Sequence, residues 1–175
     1  FTLDTESGFR DVVLINAVWG LGELIVQGEV TPDEFLVWKN GLSNPKLLPI
    51  IEKRLGRKTR KMIYSQFHPG IKETKVVPTT PLEEHSLVLS DEEVLTLARW
   101  GALIEEHYSK HAKKWTPMDI EWAKDGQTGE LFIVQARPET IHAERDYSKI
   151  REYSRKASGT TIVQGASVGS KIATG

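Results

Sequence analysis

The sequence contains no cysteine, which excludes disulfide frameworks, thiolate metal sites and cysteine nucleophiles. It also has no apolar run approaching the roughly 20 residues needed to cross a bilayer, so a membrane span is set aside. Charge of one sign is missing too. Lys plus Arg total 23 against 24 for Asp plus Glu, and a balanced chain lacks the broad positive field that dominates nucleic-acid binding. The N-terminus lacks the basic-then-apolar plan of a secretory signal, which makes a cytoplasmic location the default expectation.

What is present is a 175-residue chain with 39% apolar and 27% charged residues, enough for one domain or one domain plus part of another. It starts at Phe1 and stops at Gly175 within a glycine-containing stretch, and we expect an excised fragment of a longer protein.

Along the chain, Val12 to Val18 is short, β-branched at its start and closed by Gly20, the pattern of a buried strand. A glycine turn, Trp19-Gly20-Leu21-Gly22-Glu23, leads through Pro32 to a second strand at Phe35 to Trp38. Met62 to Ser65 reads as a strand before a turn at His68-Pro69-Gly70. Ser90-Asp91-Glu92-Glu93 forms a capping box, followed by Val94, Leu97, Ala98, Gly101, Ile104 and Tyr108 at helical spacing, which predicts an amphipathic helix over about 91 to 112.

Beyond Pro117, Met118 to Lys124 and Glu130 to Ala136 flank the turn-forming Asp125-Gly126-Gln127-Thr128-Gly129, the best β-hairpin in the chain. Residues 142 to 158 are densely charged and read as a linker. From Gly159 to Gly175 short apolar stretches alternate with glycine, too few residues to fold alone.

Strand side chains alternate faces, so Asp119 and Glu121 share one face of the hairpin while Met118, Ile120 and Trp122 share the other. A five-residue loop from Asp125 to Gly129 pairs Lys124 with Glu130, which places Asp119 opposite Gln135 and Glu121 opposite Ile133. Cross-strand neighbours lie about 4.5 to 5.5 Å apart, close enough for Asp119, Glu121 and Gln135 to share a hard cation such as Mg2+, with Arg137 beside them to hold phosphate. A polar outer face is equally the ordinary state of an antiparallel sheet open to water on one side. The architecture this implies is α+β: an antiparallel sheet including the 118 to 136 hairpin, with the 91 to 112 helix on an apolar face of Ile120, Trp122, Phe132 and Val134.

Met118-Asp119-Ile120-Glu121-Trp122 and Ile133-Val134-Gln135-Ala136-Arg137-Pro138-Glu139-Thr140 together resemble the ATP-grasp nucleotide domain of the phosphoenolpyruvate synthase family. The likeness extends over Phe1 to Gly8, Gly20 to Glu23, Gln27 to Phe35 and Leu95 to Tyr108. It implies residues 1-142 as the C-terminal half of the ATP-grasp domain, 143-158 as a charged linker and 159-175 as the start of a swivelling phosphohistidine domain.

The resemblance further implies a phosphotransferase that moves the β-phosphoryl group of ATP to a histidine and then to pyruvate, with ATP as substrate and Mg2+ as cofactor, in a homo-oligomer. By position, Glu121, Gln135 and Asp119 match the metal and polyphosphate residues, and Arg137 matches the phosphate-binding arginine; catalytic weight falls on Arg137 and Glu121. Part of the nucleotide site lies outside the chain, so the chain alone is not expected to be active. The turn at 124 to 129 is slightly long for the family, which leaves room for a bulge shifting Glu121 relative to Gln135. Pyruvate phosphate dikinase, an antibiotic phosphotransferase and a silent nucleotide-binding module remain open alternatives.

Other candidates have plainer readings. Glu23 follows a two-glycine turn and is kept as a nucleotide-site candidate. Arg54, Arg57, Lys58, Arg60 and Lys61 cluster as a solvated patch or an anion site. His107 and His111 share a helix face without a third ligand, and Trp100, Tyr108, Trp115 and Trp122 are expected in the core.

Overall fold

Alternation along the first strand sets the core. In the computed structural model, which describes residues 1–65 and 73–140, β1 (Val12–Ala17) turns Val13, Ile15 and Ala17 inward. It pairs antiparallel with β2 (Asp33–Trp38), whose Phe35 and Val37 are fully buried. β2 pairs in turn with β3 (Ile50–Arg54), with a register shift between Leu36 and Val37. The loop between β1 and β2 holds a four-residue helix, α1 (Glu23–Val26).

A second antiparallel pair joins β4 (Arg60–Tyr64) to β5 (Thr74–Pro78), and a short α2 (Pro81–Glu84) follows. The long helix α3 (Asp91–Ala112) has the bounds its periodicity predicts. Its capping box is complete: the Glu93 N–H donates to Ser90 Oγ at 3.3 Å and Glu93 Oε2 accepts from the Ser90 N–H at 2.9 Å. Val94, Leu97, Ala98 and Gly101 form its buried stripe, packed on β1 and β2 and on the final hairpin, β6 (Met118–Lys124) with β7 (Leu131–Pro138). Tyr108, expected in the core, is 38% exposed near the C-terminal end of that helix, beyond the buried stripe that ends at Gly101.

The hairpin is a separate two-stranded sheet rather than part of the sheet of β1 to β3, but a short extended segment stitches the two together. The Phe1 nitrogen donates to Leu14 O at 2.8 Å and the Leu14 N–H to Phe1 O at 2.9 Å. One residue on, the Thr2 N–H donates to Met118 O at 2.9 Å and Thr2 Oγ1 accepts from the Met118 N–H at 2.8 Å. Lys39 Nζ clamps this segment, donating to Thr2 O and Arg10 O at 2.6 Å each and to the Glu105 carboxylate at 2.8 Å. Because α3 covers one side of both sheets, their opposite faces look the same way.

The register of the hairpin corrects the expected one. Lys124 pairs with Leu131, not Glu130, so Leu131 and Ile133 take the face of Trp122. Phe132 moves to the outer face and is 50% exposed, and Val134 is 64% exposed, where both were expected against α3. The pairing then shifts between Glu121 and Trp122. A bulge inserts one unpaired residue, here Val134, which restores the phase beyond it. Asp119 therefore lies opposite Arg137 rather than Gln135, and Glu121 opposite Gln135 rather than Ile133.

The cause is the turn. The Asp125 N–H donates to Glu130 O at 2.8 Å and the Gly129 N–H to Asp125 O at 3.0 Å, so Asp125 and Glu130 close a four-residue loop. Asp125 Oδ1 accepts from the Gln127 and Thr128 N–H groups at 2.8 and 2.7 Å, and Gly129 supplies the positive φ of 74°. The turn at residues 68 to 70, the linker at 143–158 and the segment 159–175 fall outside the described residues. Among the described residues, no helix is long and apolar enough to cross a membrane.

Candidate functional site

Two corrections of one residue each, the loop and the bulge, return Gln135 and Arg137 to the face of Asp119 and Glu121. The structure therefore brings four of the five candidates to one face of one hairpin, in two directly opposed pairs.

The pairs differ in chemistry. Arg137 donates from Nε and Nη2 to Asp119 Oδ2 at 2.9 and 2.7 Å. This bond, with the Asp119 charge, holds the guanidinium more firmly protonated than a free arginine. Its side chain stays 64% exposed, so its remaining N–H donors face solvent. Glu121 and Gln135 are exposed opposite each other and present a carboxylate and an amide oxygen side by side.

A polar trough of about 170 Å³ lies on the sheet of β1 to β3, lined by Asp4, Asn16, Glu34, Glu52 and Arg54 among others. Arg54 is committed there: it donates to Glu34 and Glu52 at 2.9 Å each, and these partners hold it protonated. Asn16 Oδ1 is the one buried side-chain polar atom without a hydrogen-bond partner among the described residues.

Glu23 is not part of this arrangement among the described contacts. It opens α1, which packs on β4, and is exposed. Its loop is fixed by Gly20, where φ is +74° and an added Cβ would lie 2.2 Å from the Met62 carbonyl oxygen; that oxygen accepts from the Leu21 N–H at 2.8 Å.

Most of the basic cluster is committed to ion pairs with neighbouring carboxylates. Lys58 is fully buried against Asp33, Arg60 pairs with Glu29 at 3.0 Å and Lys61 pairs with Glu83. Asp33, which the sequence did not single out, is the hub: its carboxylate accepts from the Gly56 and Val88 N–H groups at 2.8 Å each as well as from Lys58. His107 and His111 stack at 4.7 Å on α3. Among the described residues, no group of three or more His, Asp or Glu is placed to hold a metal ion.

The family model described as "Pyruvate phosphate dikinase, AMP/ATP-binding domain" matches residues 1–158. The chain belongs to this family. Within it, the chain is similar to a phosphoenolpyruvate synthase of Aquifex aeolicus, 54% identical over the whole chain and 21% of that relative. It is 50% identical to one from Synechocystis, again over the whole chain and 21% of the relative. A Helicobacter pylori phosphoenolpyruvate synthase is 47% identical, with 22% of its length covered. The chain thus spans about a fifth of the curated relatives it matches. The mixed architecture of antiparallel sheets and few helices agrees with a domain of this family.

Proposed function

We propose that this chain is the ATP-binding part of a phosphoenolpyruvate synthase, the C-terminal portion of an ATP-grasp fold. The observation that carries this reading is the exposed outer face of the hairpin, where the Asp119–Arg137 ion pair adjoins the opposed Glu121 and Gln135.

Polyphosphate crowds negative charge, and phosphoryl transfer is accelerated chiefly by positioning and by positive charge placed where that charge develops. Arg137 is the residue suited to grip a phosphate oxygen, since its planar fork keeps free donors after Asp119 is satisfied. Asp119 acts through Arg137, orienting it, rather than as a cation ligand. Glu121 and the Gln135 amide supply two oxygen donors, a set that fits Mg2+, which ordinarily takes one or two carboxylates and completes its shell with water and substrate phosphates. A bound Mg2+ supplies charge neutralisation to the polyphosphate. Glu23 joins the site only if the nucleotide reaches the α1 loop.

In the longer protein, the β-phosphoryl of ATP passes to a histidine beyond this chain and then to pyruvate, while water takes the γ-phosphoryl, giving phosphoenolpyruvate, AMP and phosphate. We place residues 143–158 as the linker and 159–175 as the start of the domain bearing that histidine.

The test uses the longer protein with magnesium, ATP and pyruvate, with and without added phosphate. Formation of AMP and phosphoenolpyruvate without added phosphate is the expected result. A strict need for phosphate with pyrophosphate released reassigns it as a dikinase, and no pyruvate-dependent AMP removes the synthase reading. Glu121→Ala is expected to weaken magnesium-ATP binding at least about tenfold, a loss of about 1.4 kcal/mol, and unchanged affinity by calorimetry removes the site.

A further inference from the structure

Lys39 stands at a corner where several segments meet. It follows the last residue of β2, and its backbone N–H donates to Asp11 O at 2.8 Å, just ahead of β1. Its side chain is 12% exposed and that of its partner Glu105 on α3 is 13% exposed. An ammonium carries three N–H donors and no acceptor. Here they go to Thr2 O and Arg10 O at 2.6 Å each and to the Glu105 carboxylate at 2.8 Å. Burial pushes the Lys39 pKa below its ordinary value, and the hydrogen bond and charge of Glu105 work against that.

This corner lies one residue from the candidate site. Thr2 and Met118 are both fully buried. The Thr2 N–H and Oγ1 are taken up by the Met118 backbone, and the Thr2 carbonyl accepts from Lys39. Met118 opens β6, and the next residue is Asp119, opposite Arg137. Each link from Lys39 Nζ to the Arg137 guanidinium is therefore a hydrogen bond or a short backbone step. The hairpin shares no sheet with β1 to β3, so its base takes its place from the Thr2 link and from packing on α3. Lys39 is bonded to both of those supports, to Thr2 directly and to α3 through Glu105.

We propose that Lys39 is a positioning residue for phosphoryl transfer, setting where the base of the hairpin, and with it the Asp119–Arg137 pair, stands against the polyphosphate. The inference rests on the reading of Arg137 as the phosphate grip. Lys39 acts through Thr2 and Met118 rather than on the substrate. Arginine is a poor replacement, because its donors form a planar fork instead of radiating from one nitrogen.

The test is steady-state kinetics on the longer protein, with ATP and pyruvate varied in turn. Lys39→Met is combined with Glu105→Gln so that no unpaired charge is left buried. Displacing a positioned group costs on the order of tenfold to a hundredfold, and the kcat/KM for ATP is expected to fall by at least about tenfold. The kcat/KM for pyruvate reports a later half-reaction and should stay within about twofold. Loss of folded protein lowers both alike, and that result overturns the proposal. In an Arg137→Ala background the same changes should lower the kcat/KM for ATP by less than about twofold further, because the group they displace is gone. An equal further loss overturns the proposal, since Lys39 then acts elsewhere. If Arg137→Ala alone leaves the kcat/KM for ATP unchanged, the phosphate-grip reading falls and the role of Lys39 with it. If Arg137→Ala lowers it while the Lys39 variant matches the parent, only the role of Lys39 falls. Lys39→Arg, which keeps the charge and loses the three-way geometry, takes the place of the paired change in the same comparisons if that protein does not fold.

Discussion

Replacing Asp33 by alanine should be among the most damaging single changes in this protein. Asp33 and Lys58 are both fully buried, and the carboxylate also accepts the Gly56 and Val88 amides at 2.8 Å each. Asp33→Ala leaves the Lys58 ammonium in the core, held only by the Gly56 carbonyl at 3.2 Å. Breaking a buried pair from one side costs about 3–5 kcal/mol, and each stranded amide adds about 1–3. The sum, upwards of about 5 kcal/mol, matches the whole stability of many domains. Lys58→Met is milder, about 3 kcal/mol, because the two amides still solvate the carboxylate. In the double variant Asp33→Ala, Lys58→Met, no charge remains buried, so the two changes together should cost less than the sum of the two made separately. We expect a coupling of about 2–3 kcal/mol. Urea unfolding followed by tryptophan fluorescence reads this out as shifts in midpoint at constant slope. Arg57→Ala, on an exposed neighbour, is the control and should stay within about 0.5 kcal/mol. An Asp33→Ala cost below about 1 kcal/mol, or strict additivity in the cycle, would refute the hub.

Gly20→Ala should cost at least about 2 kcal/mol, since a non-glycine residue at positive φ is strained by about 1–3 and its Cβ would lie 2.2 Å from Met62 O; a thermal midpoint within a degree of the parent contradicts this. Ser90→Ala should cost about 1 kcal/mol by removing the N-cap of α3, with a parallel loss of amide protection in its first turn. Glu83 titrates below its ordinary 4.5 because Lys61 and then the Thr80 N–H bond its carboxylate. The folded state then binds that proton less readily than the unfolded one. Its contribution is present above about pH 4.5 and disappears as pH falls through the lowered value, so Glu83→Gln should flatten the acid limb of a stability profile, and an unchanged limb contradicts the assignment.

Local rules were enough where the signal was local. The capping box at Ser90 and Glu93 and the spacing from Val94 to Gly101 placed α3 with its bounds, because helix starts and stripes are written in neighbouring residues. The residue types on the hairpin's polar face were also legible, but their pairing was not. Asp125 bonding Gln127 and Thr128 decided the loop length, and the extra residue at Val134 decided the phase. Counting from an assumed loop put Phe132 and Val134 in the core when they are exposed. Short elements such as α1 and β3 escaped notice because four or five residues carry little periodicity.

By itself the sequence determined which carboxylate, amide and guanidinium groups the hairpin carries, that α3 exists, and that the chain belongs to its family. Only the tertiary structure decided that Arg137 is held by Asp119 while Glu121 faces Gln135. It alone decided that Lys58 is a core ion-pair partner rather than part of a basic patch, and that Phe1 and Thr2 join the hairpin to the main sheet. The physical reason is common to all three. Residue type fixes what a group can bond, but burial and strand register, set by contacts between residues far apart in sequence, fix what it does bond.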